Sequence, residues 1–122
     1  MKNVSMDYEN LCKLAQKADP KIRFAGIINY RGKLIAGGMV AGKKALEDEK
    51  KDEMLFMELA LRVKMRSEFN NDLGKVRFSM SLREKIIVMS FPIESDILMI
   101  TMEKNARFEN ISLKILKSVE KL

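Results

Sequence analysis

Gly37, Gly42 and Lys43 are spaced as in the phosphate-binding loop G-x-x-x-x-G-K-[ST]. In such a loop the glycines free backbone N–H groups for the phosphates, and the closing Ser or Thr ligates magnesium. Here the closing position is Lys44, which cannot ligate a cation. The following Glu47-Asp48-Glu49 would hold three carboxylates near the phosphates, where the loop needs the positive end of a helix. The plainer reading is that Gly37, Gly38 and Gly42 carry the chain off a strand edge, with Lys43 and Lys44 in water. No cofactor is expected.

Little other chemistry is available. The chain has no histidine and one cysteine, Cys12. That removes the usual zinc sites, the Ser-His-Asp and Cys-His nucleophile systems and the commonest general base near neutral pH. No catalytic or metal-binding residue is assigned, and an enzyme is not expected. A lone cysteine excludes an internal disulfide and suits a reducing compartment. The N-terminal MKNVSMDYEN lacks the apolar core of a signal peptide, and no apolar run approaches the ~20 residues of a membrane span. These features lead us to expect a cytoplasmic protein.

Charge is the feature that stands out. Lys21, Arg23, Arg31, Lys33, Lys43 and Lys44 fall between residues 20 and 46 with no acid among them, and the whole chain carries a net charge of +6. Arg23, Arg31, Lys33, Lys43 and Lys44 thus form a candidate patch for an acidic partner. Nucleic acid is the weaker candidate, because only Phe24 and Tyr30 could stack on bases.

The elements that must position these residues follow from periodicity. At 122 residues, 47% hydrophobic and 33% charged, the chain reads as one folded domain, 1–122. Val4, Tyr8, Leu11, Ala15 and Ala18 make a helical stripe over 4–18, which Asn3 or Ser5 can cap and Pro20 ends. IRFAGIINY and KLIAGG read as a hairpin, with Asn29 opening a type I turn and Gly32 completing it in the left-handed conformation. A long helix is expected from Asp52 to Asn70, stopping near Asn71 and Gly74. VRFSMSL alternates, with Val76, Phe78, Met80 and Leu82 expected on one buried face. KIIVMSF follows, Pro92 is expected to break it, and ILMITM is the last strand. A final helix from about Asn105 carries Phe108, Ile111, Ile115, Val119 and Leu122. The expected fold is α+β, a single five-stranded, mainly antiparallel sheet with helices packed on it, in the order α-β-β-α-β-β-β-α.

The long helix has more apolar surface than one sheet can cover. Met54, Leu55, Phe56 and Met57 are consecutive, and Leu59, Ala60, Leu61, Val63, Met65 and Phe69 follow. At 100° per residue they point nearly all round, whereas a helix on a sheet needs a stripe of roughly 100°. Either other helices of the same chain or a second subunit must cover the surplus, and methionine adapts well to a partner's surface. Met54, Phe56, Met57, Leu61, Met65, Val76 and Phe78 are therefore the candidate homodimer interface.

FAGIINYRGKLIAGGM, an acidic approach, a long apolar helix and KIIVMSFPIESDILMITM together resemble the roadblock/dynein light-chain family over nearly the whole chain. Gly26, Gly32 and Ala36 mark the hairpin. The resemblance implies a non-catalytic module of profilin-like build, a homodimer with sheets joined edge to edge and long helices nearby. It further implies a role as an adaptor, or as a regulator of a small GTPase. The high methionine content and the basic first hairpin depart from the family pattern. The alternative reading is a small-molecule sensing domain of PAS or profilin-like type, which would need an internal cavity with a few convergent polar groups.

Overall fold

The computed structural model describes residues 4–121, with side chains from residue 7 onward. The caps expected at Asn3 or Ser5, the side chain of Val4 and the stripe's Leu122 lie outside the described residues. The elements are α1 (Val4–Gln16), β1 (Ile22–Ile28), β2 (Leu34–Met39), α2 (Glu49–Arg66), α3 (Asn70–Leu73), β3 (Ser79–Leu82), β4 (Ile86–Ile93), β5 (Asp96–Glu103) and α4 (Phe108–Val119). The five strands form one sheet in the order β2-β1-β5-β4-β3, and every neighbouring pair is antiparallel. The expected order of elements is the observed one.

The sheet is apolar on both faces because helices cover both. Beneath α1 and α4, Leu11, Ala15, Ile111 and Ile115 pack with Ile27, Met89, Phe91 and Ile100. On the other face α2 sets Phe56, Leu59 and Ala60 against Phe24, Ile28, Val88, Ile97 and Met99. Tyr8 of α1 donates to Asp96 Oδ2 at 2.8 Å, tying the helix to the β4–β5 turn, and burial raises the phenol's pKa.

The first hairpin closes as its sequence requires. Asn29 Oδ1 accepts from Arg31 N at 2.9 Å and Lys33 N at 3.1 Å, while Gly32 sits at φ 76°. Further along, Gly37 lies inside β2 at φ 75°, where a Cβ would stand 2.3 Å from Ala25 O and 2.7 Å from Cys12 Sγ. Only a bare backbone lets α1 approach β2 this closely.

Three expectations are corrected. The long helix begins at Glu49 rather than Asp52, because Asp48 Oδ1 accepts from Lys51 N at 2.9 Å and caps it. It ends at Arg66 and continues as a 3₁₀ turn, Ser67–Phe69, and then α3, before Gly74 at φ 84° turns the chain away. Pro92 does not break its strand: β4 runs through it, with Pro92 opposite Ile97. Arg83 N bonds to Ile86 O, and bonded pairs alternate, so even-numbered residues of β4 direct their backbone toward β3. At Pro92 β3 has not yet begun, so the missing N–H costs no ladder bond. Finally, Val76, Phe78, Met80 and Leu82 do not form a buried face. β3 starts only at Ser79; Met80 is 38% and Leu82 65% exposed, Phe78 stacks on Phe91 at 5.6 Å between ring centroids, and Val76 is half-buried.

Candidate interaction surfaces

β3 is the last strand of the sheet, so one side of its backbone has no strand partner. By the same alternation, Ser79 and Ser81 bond to β4, and Met80 and Leu82 direct N–H and C=O away from the sheet. Just before β3, Arg77 clasps Glu120 at the end of α4 through two bonds of 2.9 and 2.8 Å. The paired guanidinium lowers the Glu120 pKa, and the carboxylate raises that of Arg77.

α2 carries two apolar stripes. Phe56, Leu59, Ala60 and Val63 face the sheet, whereas Met54, Met57, Leu61 and Met65 lie roughly opposite at 100° per residue and are 60–69% exposed. Beyond α2, Phe69 and Leu73 are also exposed, at 58% and 81%. The other two long helices lie on the far face of the sheet, so neither covers this stripe. Of the candidate interface residues, then, Met54, Met57, Leu61 and Met65 share one open surface. Phe56 is corrected: it is buried, its ring 5.8 Å from that of Phe24. An open cleft of about 690 Å³ lies between α2 and β4, lined by Met54, Leu55, Leu61, Arg83, Ile86 and Val88.

The basic residues do not form one patch. Arg31 and Lys33 sit at the β1–β2 turn, with the Arg31 guanidinium 5.5 Å from the centre of the Tyr30 ring. Lys43 and Lys44 follow β2 at its other end, a strand's length away. There Arg23 donates to Lys44 O and Lys43 Nζ lies 3.9 Å from Glu103 Oε2. The near-match to a phosphate loop has no such geometry: Gly37 is in a strand, and six residues separate Gly42 from the first residue of α2.

Sequence reading missed Asp52. It stands one turn before Phe56 on the sheet-facing side of α2 and shares a recess with Glu47. Burial first, and then Glu47, Asp48 and Glu49, push its pKa up to about 6. The signal was an acid at the position where the inner stripe asks for an apolar residue. Beside it, Arg23, Phe24, Met99 and Thr101 help enclose about 30 Å³, room for roughly one water molecule. Cys12 is buried under α1, which pushes its thiol up to about 11.

Solved structures share this fold at low identity. A roadblock/LC7 domain from Streptomyces avermitilis superposes with a TM-score of 0.70 at 9% identity, over 93% of this chain and 92% of that one. The gliding protein MglB from Thermus thermophilus gives 0.75 at 10% identity, over 99% and 92%. Profilin II from Acanthamoeba castellanii gives 0.60 at 12%, over 93% and 94%. The fold is thus that of roadblock domains, with the profilin-like build the resemblance implied. Among curated proteins, none matches this sequence. Over its full length, residues 1–122, the chain belongs to DUF6659, a family of unknown function.

Proposed function

We propose that this protein is a non-catalytic, cytoplasmic scaffold that works as a homodimer and binds a protein partner, with a small GTPase as the partner class carried by the roadblock resemblance. One observation supports this most: the outer stripe of α2, Met54, Met57, Leu61 and Met65, is apolar and faces away from the chain's own core. Freeing such side chains from water is worth about 1.5–3 kcal/mol each, so a partner is favoured there. The open edge of β3 gives a second copy its backbone hydrogen bonds. The charges flanking the stripe suit an antiparallel copy, since residues 49–53 carry a net negative charge and residues 64–68 a net positive one.

Size-exclusion chromatography with light scattering tests the assembly. The wild type is expected at twice the 14.0 kDa monomer mass. Leu61→Glu, a change at an exposed position, should return it to monomer with its thermal stability kept. A wild type that stays monomeric at high micromolar concentration would refute the dimer. The partner class is tested separately, by whether the dimer alters nucleotide hydrolysis by a small GTPase of the same cell. The sensing-domain alternative would need an enclosed pocket with convergent polar groups, whereas the 690 Å³ cleft beside α2 is open and mostly apolar.

A further inference from the structure

The fold gathers cations that the sequence scatters. Lys85 precedes β4, Lys104 follows β5 and Lys21 precedes β1, and the pairings Ile86 with Glu103 and Ile22 with Met102 set those strand ends side by side. The loop that holds Lys43 and Lys44 leaves β2 at the same end, pinned there by Arg23 and Glu103. Neighbouring strands lie about 4.8 Å apart, so a row of ammonium groups crosses four strand ends within roughly 15 Å. Lys44, Lys85 and Lys104 are exposed, and Lys21 reaches Asn105 O at 3.4 Å. Acids lie at this end too, Glu47 and Glu84 beside Lys85, Glu103 facing Lys43 and Asp19 beside Lys21. The cations Lys21, Arg23, Lys43, Lys44, Arg83, Lys85 and Lys104 outnumber them.

We infer that this row of strand-end lysines is a docking surface for an acidic peptide segment of a protein partner, laid across the sheet's end. An extended chain turns every second side chain to the same face, about 6.6 Å apart, so a run of acids can present several carboxylates along the row. Nucleic acid fits less well, because base stacking needs exposed aromatic rings and Tyr30 is at the opposite end of β1. A flat bilayer fits less well too: copies paired antiparallel through β3 point their rows in opposite directions. That last preference rests on the proposed dimer; the row itself does not.

The test is fluorescence anisotropy with a labelled peptide of about eight glutamates, at roughly 50 and 200 mM salt. The wild type should bind at the lower salt and weaken at the higher. Lys85→Glu with Lys104→Glu should weaken binding by about tenfold or more, because both charges sit in the row. Arg31→Glu with Lys33→Glu changes net charge equally at the opposite end and should cost less than about threefold. Lys85→Gln with Lys104→Gln, checked for unchanged melting, guards against misfolding and should fall between the two. Equal losses in the two Glu variants would overturn the inference, since net charge alone would then explain binding. No wild-type binding at the lower salt would also overturn it. So would tighter binding of phosphatidylserine vesicles or of a single-stranded oligonucleotide than of the peptide. Light scattering on the same samples separates loss of docking from loss of the dimer.

Discussion

The two edge strands of this sheet are treated in opposite ways. β2 is guarded. Gln16 of α1 donates to Gly38 O and to Ala25 O, both at 3.2 Å, and Cys12 overhangs Gly37. Its pairing with β1 also slips between Ile27 and Ile28, and Gly37 and Gly38 take φ of 75° and 151°. A helix overhead, an irregular register and distorted backbone are the devices by which sheets keep other strands away. Among the described residues β3 has none of these: it is regular against β4 and apolar at Met80 and Leu82, and its outward backbone groups meet no strand. Four residues offer little to an open-ended aggregate but enough hydrogen bonds for a matched copy. One edge is covered and irregular; the other is open and regular.

The largest expected effect breaks the guarded edge. Gly37→Ala places a Cβ at φ 75° and 2.3 Å from Ala25 O, so strain and a collision with backbone act together. We expect a loss of about 3 kcal/mol or more in urea unfolding, with α1 lifted from β2. A loss under about 1 kcal/mol would mean that β2 is not fixed by this close approach. At the open edge the expectation inverts. Met80→Pro removes an N–H that points away from the sheet. The monomer should melt within a few degrees of wild type, about 1 kcal/mol or less, while the dimer dissociates at least about tenfold more readily. If Met80→Pro leaves light-scattering mass unchanged, β3 is not the seam.

How much of this was legible in the sequence depends on the kind of signal. Alternation and glycine chemistry gave the element order and the first turn, since IRFAGIINY and Asn29-Tyr30-Arg31-Gly32 encode local geometry. The surplus on α2 was also readable, because it is a count of apolar residues round a helix. What failed was sidedness at the periphery. VRFSMSL alternates like a half-buried strand, yet nothing local says that no helix reaches over Met80 and Leu82. Phe56 looked as available as Met57, because only packing decides which stripe meets the sheet. The basic residues looked contiguous for the same reason: a hairpin folds back, so neighbours in sequence end a strand's length apart, and the lysines of distant strand ends meet instead.

A smaller effect comes from Asp52, in the first turn of α2. Its pKa near 6 exceeds the ordinary 3.8, so the folded protein holds this proton more tightly than the unfolded chain does. Protonation therefore favours folding, and Asp52's contribution is present below pH 3.8 and lost as pH rises through 6. Asp52→Asn should melt higher than wild type at pH 7 and lose that advantage near pH 4. Solvent near this half-exposed group screens the effect, so a gain of a few degrees is expected. Equal melting curves across that range would show that folding does not raise the Asp52 pKa.

The smallest effects belong to two of the surface ion pairs, one near each edge, and they sharpen the same contrast. Lys43 and Glu103 approach at 3.9 Å through a single contact beside the guarded edge. Lys43→Ala should leave stability within about 0.5 kcal/mol, as a loose exposed pair contributes little. Neither ATP nor GTP should raise the melting temperature of wild type or variant, whereas a bound ligand at 100 times its dissociation constant adds about 2.7 kcal/mol. Arg77 and Glu120 make a two-bond pair that leads into the open edge. It too is exposed, so Arg77→Ala should barely move monomer melting. Its expected effect is on assembly, because the pair fixes the segment from which β3 starts. The lowered pKa of Glu120 keeps the pair charged at mildly acidic pH, so the proposed dimer should persist there and weaken only as pH falls through the Glu120 value. Dimer dissociation should rise a few-fold in Arg77→Ala and equally in Glu120→Gln, with Lys43→Ala as the unaffected control. If all three variants dissociate alike, the two edges do not differ in the way their packing implies.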